Sequence, residues 1–108
     1  MKYHTGLTIE RWEKLPFLDR VANVGSEVYR AISSRDRGAF EDSSLAFLRS
    51  LELFDVTISR NLTGSQLNEI CRLREIWKDY FVGDNYYKSD KSFFEKYFNY
   101  ITVRARAL

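Results

Sequence analysis

A chain of 108 residues has the length of one domain with a single core, too short for two. Hydrophobic residues make up 44% and charged residues 30%, the balance of an ordinary soluble globular protein. The first 60 residues carry nine basic and nine acidic side chains, so the formal charge of +2 comes from the later part, where eight meet six. That excess is too weak to imply nucleic acid by electrostatics alone, because such domains carry a clustered basic face.

No apolar run approaches the roughly 20 residues that span a bilayer. The stretch from Met1 to Lys14 is polar and lacks a secretory apolar region. Cys71 is the single cysteine, so no intramolecular disulfide is available. A cytoplasmic location is the resulting expectation. Asn61-Leu62-Thr63 matches a glycosylation sequon, and without a secretion signal it reads as chance.

Met1 to Gly6 reads as a loose start, and it holds His4, the one histidine. Thr8 is placed to cap a short helix from Ile9 to Leu15, with Ile9, Trp12 and Leu15 on one side. Pro16 then marks a corner and serves as the first residue of a long helix. From Phe17 to Arg35, the residues Phe17, Val21, Val24, Val28 and Ala31 recur at spacings of four and three, one apolar stripe on one side. Gly25 lies beside that stripe. Glycine costs about 1 kcal/mol relative to alanine inside a helix, so a close approach of another helix is the expected reason for it.

Ser33 to Gly38 ends the long helix, and a second helix is expected from about Ala39 to Arg60. Phe40, Phe47, Leu51, Phe54 and Ile58 form its core line. In the next turn, Thr63 and Gln66 fit a capping box. Leu67, Ile70, Leu73, Arg74, Trp77 and Phe81 follow at helical spacing, with Gly83 as the stop. Asp84 to Asp90 is a polar connection containing two tyrosines, and Ser89 or Asp90 caps the last helix. That helix carries Phe94, Phe98, Ile101 and Ala105 on one line, with Arg104 and Arg106 in its last turn, where positive charge suits the helix dipole. No segment alternates with period two. The expected fold is all-α: an antiparallel, up-and-down four-helix bundle preceded by a short N-terminal helix.

The hairpin around Gly38 has a partial tetratricopeptide-like pattern in Ala31, Gly38, Phe40, Phe47 and Leu53. Ser43 and Ser50 stand where that repeat has alanine, and no second copy follows Asn61. A plain antiparallel hairpin accounts for the same residues. One histidine and one distant cysteine do not make a metal site. Cys71, next to the core line, reads as a buried small residue rather than a nucleophile. The isolated glycines give no phosphate loop. Neither catalysis, a cofactor nor a metal is therefore expected.

Two clusters stand out. Arg72, Arg74 and Lys78, with Arg104 and Arg106, form a small basic patch if their helices adjoin. The alternative is a solvated face with local pairs, Arg72 with Glu75 and Arg74 with Asp79. The second cluster is aromatic, and its polar-tipped rings are Trp77, Tyr80, Tyr86, Tyr87, Tyr97 and Tyr100. Tyrosine and tryptophan are enriched in interfaces, because they bury apolar area and keep a polar tip. A large aromatic core is the competing reading.

Residues 10–19 (ERWEKLPFLD), 24–28 (VGSEV), 73–76 (LREI) and 79–84 (DYFVGD) together resemble a family of small uncharacterised prokaryotic all-helical proteins. The resemblance implies a helical fold and no activity or site residues. The functional expectation rests on the residues: a protein-contact module, self-associating or partner-binding. The rival is a nucleic-acid-associated helical protein that uses the basic patch.

Overall fold

A computed structural model describes residues 2–58 and 61–107. Five helices follow in order: α1 (Ile9–Glu13), α2 (Phe17–Asp36), α3 (Phe40–Ile58), α4 (Gly64–Val82) and α5 (Lys91–Ala107). Among the described residues there is no strand, and the protein is all-helical. Most boundaries follow from local chemistry. The Thr8 hydroxyl accepts the Arg11 N–H at the start of α1. Pro16 is the N-cap of α2, one place earlier than expected, and its carbonyl accepts the Arg20 N–H. Gly38 takes φ of +77° in the α2–α3 turn, a left-handed conformation that favours glycine. Thr63 and Gln66 form the expected capping box on α4, and the Asp90 carboxylate caps α5 at Phe93 N. The helix α1 stops two residues short of Leu15, and Ser59 and Arg60, the expected end of α3, lie outside the described residues.

The short turn at Gly38 and contacts between the helices set their directions. Ser43 on α3 donates to the Ala31 carbonyl on α2. Trp77 on α4 donates to Ser50 on α3, and Arg74 pairs with Asp55. Lys91 at the start of α5 meets Asp36 at the end of α2, while Phe98 sits on Gly25. Each helix therefore runs opposite to its neighbours, and the four long helices close into the up-and-down bundle.

The α2 stripe of Val21, Val24, Val28 and Ala31 is buried at the centre of this arrangement. Small residues bring α2 and α3 together, and Gly25 lets α5 come close. The helix α4 is held at a greater distance by rings. Phe47 of α3 stacks on Phe81 at 4.9 Å, Trp77 lies edge-on to Phe94 of α5 at 5.3 Å, and Tyr80 meets Phe94 at 5.1 Å. Much of the aromatic excess is thus a core layer filling the space between α4 and its neighbours.

Residues 43, 50 and 57 of α3 repeat at heptad spacing, and all three are buried hydroxyls. Trp77 Nε1 donates to Ser50 Oγ at 2.9 Å, and Ser50 donates to the Phe47 carbonyl. Trp12 Nε1 donates to Thr57 Oγ1 at 2.9 Å, and Thr57 donates to the Leu53 carbonyl. Each indole N–H is thereby satisfied in a place water does not reach. Ser43, by contrast, donates only to a carbonyl that already belongs to the α2 ladder. Ser50→Ala orphans a buried indole donor and is expected to cost about 1–3 kcal/mol, whereas Ser43→Ala is expected to cost less than about 1 kcal/mol. Parallel thermal melts check this, and equal losses for the two variants would remove the distinction.

Candidate contact surface at the Tyr86–Tyr87 turn

The connection between α4 and α5 is organised by two side chains. The Asp79 carboxylate accepts the backbone N–H of Tyr86 at 2.8 Å and of Tyr87 at 3.0 Å. The Asp79 carbonyl also accepts the N–H groups of Gly83 and Asn85. Asn85 then bridges the far side: its amide donates to the Ser89 carbonyl and its side-chain oxygen accepts the Ser89 N–H. Asn85 and Lys88 both have φ near +54°, a region asparagine tolerates and lysine rarely enters. Hydrogen bonds therefore fix this backbone, while the rings it carries stay outside. Tyr86 is 83% exposed and Tyr87 46%, and the two rings stand perpendicular at 5.6 Å.

The same end of the bundle holds the start of α3 and the end of α4, where Phe40 and Val82 are also exposed. Phe93, in the first turn of α5, is partly exposed there and stacks on Tyr97. Arg35 closes the end of α4 from below, donating to the Phe81 carbonyl at 2.7 Å with its guanidinium 4.0 Å from the Phe81 ring.

The structure divides the six rings expected to form one interface. Trp77 is fully buried and hydrogen-bonded inside the core, so it offers no contact surface. Tyr80 is half-buried against Trp77 and Phe94. Tyr97 is half-buried and donates to Glu69 of α4 at 2.6 Å. Burial pushes its phenol well above the usual tyrosine range, and the hydrogen bond and negative charge of Glu69 push it further. These three rings serve the fold. Tyr100 is exposed beside Arg104 on the outer side of α5, nine residues from Lys91 and so about 13 Å along the helix from the tyrosine turn. Tyr86 and Tyr87 are the pair that remains together and exposed.

The basic patch does not assemble. Arg74 is paired with Asp55 of α3 at 2.9 Å, rather than with Asp79, which is engaged with the turn. Arg72 lines a shallow depression with Arg74, Asp55 and Glu75 between α3 and α4. Arg104 leans on its own helix neighbour Tyr100, and Arg106 follows it near the end of α5. Because α5 runs against α4, Lys78 belongs to the opposite end of the bundle from Arg104 and Arg106. Cys71, expected as a buried residue, is exposed at the depression. It lies one residue past Ile70, about 100° round the helix from the buried line of Ile70, Leu73 and Trp77.

Three features had no signal in the sequence. A groove of about 750 Å³ runs between α2 and α5, with Gly25, Tyr29, Phe94, Phe98 and Lys91 in its walls. Lys91 is neutralised there by Asp36 at 3.1 Å and Glu95 at 3.9 Å. Arg20 is buried beside Glu13, and burial lowers its pKa despite that carboxylate. The N-terminal segment, expected to be loose, is instead tied to α3: Tyr3, His4 and Glu52 bond across 48 and 49 positions of sequence. Among the described residues, no group of three metal-ligating side chains comes together, and no helix is long and apolar enough to cross a membrane. Comparison with protein-family models, with curated proteins and with solved structures gives no match.

Proposed function

We propose that this protein works through contact with another protein chain, and that the Tyr86–Tyr87 turn is the centre of the contact surface. The observation that carries the reading is the pairing of a backbone anchored by Asp79 and Asn85 with two rings left outside the core. A turn needs no tyrosine for its own geometry; glycine, asparagine and aspartate do that work. Rings on a prearranged backbone lose little conformational freedom on binding, and tyrosine supplies large amphipathic area at low entropy cost. The exposed Phe40 and Val82 at the same end extend the apolar area around them.

Truncating hot-spot tyrosines often costs about 2 kcal/mol or more of binding free energy. The double variant Tyr86→Ala, Tyr87→Ala is expected to keep the helicity and melting temperature of the wild type. It is expected to weaken association by at least about thirtyfold, the equivalent of that energy. Sedimentation equilibrium over a wide concentration range reads self-association, and affinity capture from the native host reads a different partner. A monomeric wild type whose captured proteins are unchanged in the double variant would overturn the proposal.

A further inference from the structure

The groove between α2 and α5 takes its shape from one close contact. Phe98 rests on Gly25, and Val28, Ile32 and Phe94 carry the apolar floor from there toward the end of α2. Tyr29, which is 64% exposed, stands along one wall. From Gly25 to Arg37 the groove follows α2 for about 18 Å, at 1.5 Å per residue. Its volume of about 750 Å³ falls within the range of small-molecule sites.

The charges of the groove are gathered at one end. From Tyr29 toward Ala22 and Thr102, the lining residues are all uncharged. At the other end Lys91 is neutralised by Asp36 and Glu95, and Arg30 pairs with Glu27 at 3.2 Å. Arg37 is held in another way. Its Nη1 donates to Ser33 Oγ at 2.8 Å, and its Nη2 reaches Ser34 Oγ at 3.5 Å. Hydroxyls orient a guanidinium without cancelling its charge. Among the described residues, no ion pair includes Arg37. The negative end of α2 and the positive end of α5 meet here and offset each other, so Arg37 supplies the uncompensated charge.

We propose that this groove binds a single-chain fatty acid, with its carboxylate on Arg37 and its chain laid over Ile32, Phe94 and Phe98 toward Gly25. The charge distribution selects the head group. A carboxylate accepts two N–H groups from one guanidinium, the strongest pairing such a group makes. A cationic head would meet Arg37 and find Asp36 and Glu95 already committed to Lys91. The chain lies along the uncharged end, where it strips no ion of water. This site is independent of the protein contact proposed at the tyrosine turn.

Amide NMR of the whole chain, titrated with dodecanoate below its micelle-forming concentration, tests this. Saturable shifts are expected at Gly25, Ile32, Arg37 and Phe98. Dodecyltrimethylammonium, the same chain with the opposite head, should bind at least about tenfold more weakly. Arg37→Gln should weaken dodecanoate binding by about fivefold or more and leave the cationic amphiphile bound no more weakly than before. Ser26→Trp, at an exposed position of the uncharged end, should block the chain and abolish binding with Arg37 intact. Absence of saturable shifts at the groove would overturn the proposal, as would equal affinity for the two head groups or an Arg37→Gln variant that binds dodecanoate like the wild type. Shifts at the same amides that follow protein concentration without any ligand would assign the groove to a second copy and overturn it too. The comparison of the two head groups on the wild type decides alone if either variant fails to fold.

Discussion

Trp77→Ala is expected to cost about 3–5 kcal/mol, the range for deleting a large buried ring. Trp77 is fully buried, touches the rings of Phe47, Tyr80, Phe81 and Phe94, and donates to Ser50 from the centre of the core. Its removal leaves a cavity at the junction of α3, α4 and α5, and α4 cannot close it easily because the other rings still hold that helix away. Total stability for a domain of this size is about 5–15 kcal/mol, so the variant sits near the threshold of folding. A thermal melt should show a fall in Tm of more than about 12 °C, at 4–8 °C per kcal/mol. A fall of less than 5 °C would mean that α4 collapses onto the vacated space, and the spacing role given to the ring layer would fail.

Gly25→Leu is the second substitution with a large expected effect. A Cβ built on Gly25 meets Phe98 Cδ1 at 2.5 Å, Cγ at 2.7 Å and Cβ at 3.1 Å. The obstacle is the base of the Phe98 side chain, which cannot swing aside as a flexible tip can. Leucine gains about 1 kcal/mol of helix propensity over glycine, yet forces α2 and α5 apart. Overpacking of this kind costs about 1–3 kcal/mol, and the root contact places this case in the upper part of that range. Denaturant titration reads the loss directly. The double variant with Phe98→Ala should recover part of it, a coupling that only direct contact produces. A melting temperature equal to or above that of the wild type would remove the close-approach explanation for this glycine.

Periodicity made the helices legible, because a 3.6-residue stripe such as Val21, Val24, Val28, Ala31 has one burial solution. Gly25 was legible for the opposite reason: it costs stability where it stands, so a neighbour had to need the space. The aromatic cluster left core and interface both open, because side-chain type alone does not separate its rings. Trp77 lies on the same line as Ile70 and Leu73, and that spacing alone assigns it to the core. The exposure of Tyr86 and Tyr87 was foreshadowed by their place in a polar turn, but the Asp79 anchor was not, since a carboxylate in the last turn of a helix gives no sign of reaching back to the next loop. The His4–Glu52 pair joins segments that only the folded α2–α3 hairpin brings together, and no local pattern reports such a partner.

The hydroxyl ladder of α3 also gives the protein two optical reporters with separate addresses. The chain has two tryptophans, and both indoles are buried and bonded to α3, at Thr57 and Ser50, two helical turns apart. Trp77 is held by three helices of the bundle, whereas Trp12 is carried by a five-residue helix at its edge. Detachment of α1 wets one indole and opening of the bundle wets both. Emission colour and quencher access therefore separate partial from global unfolding without any label being added.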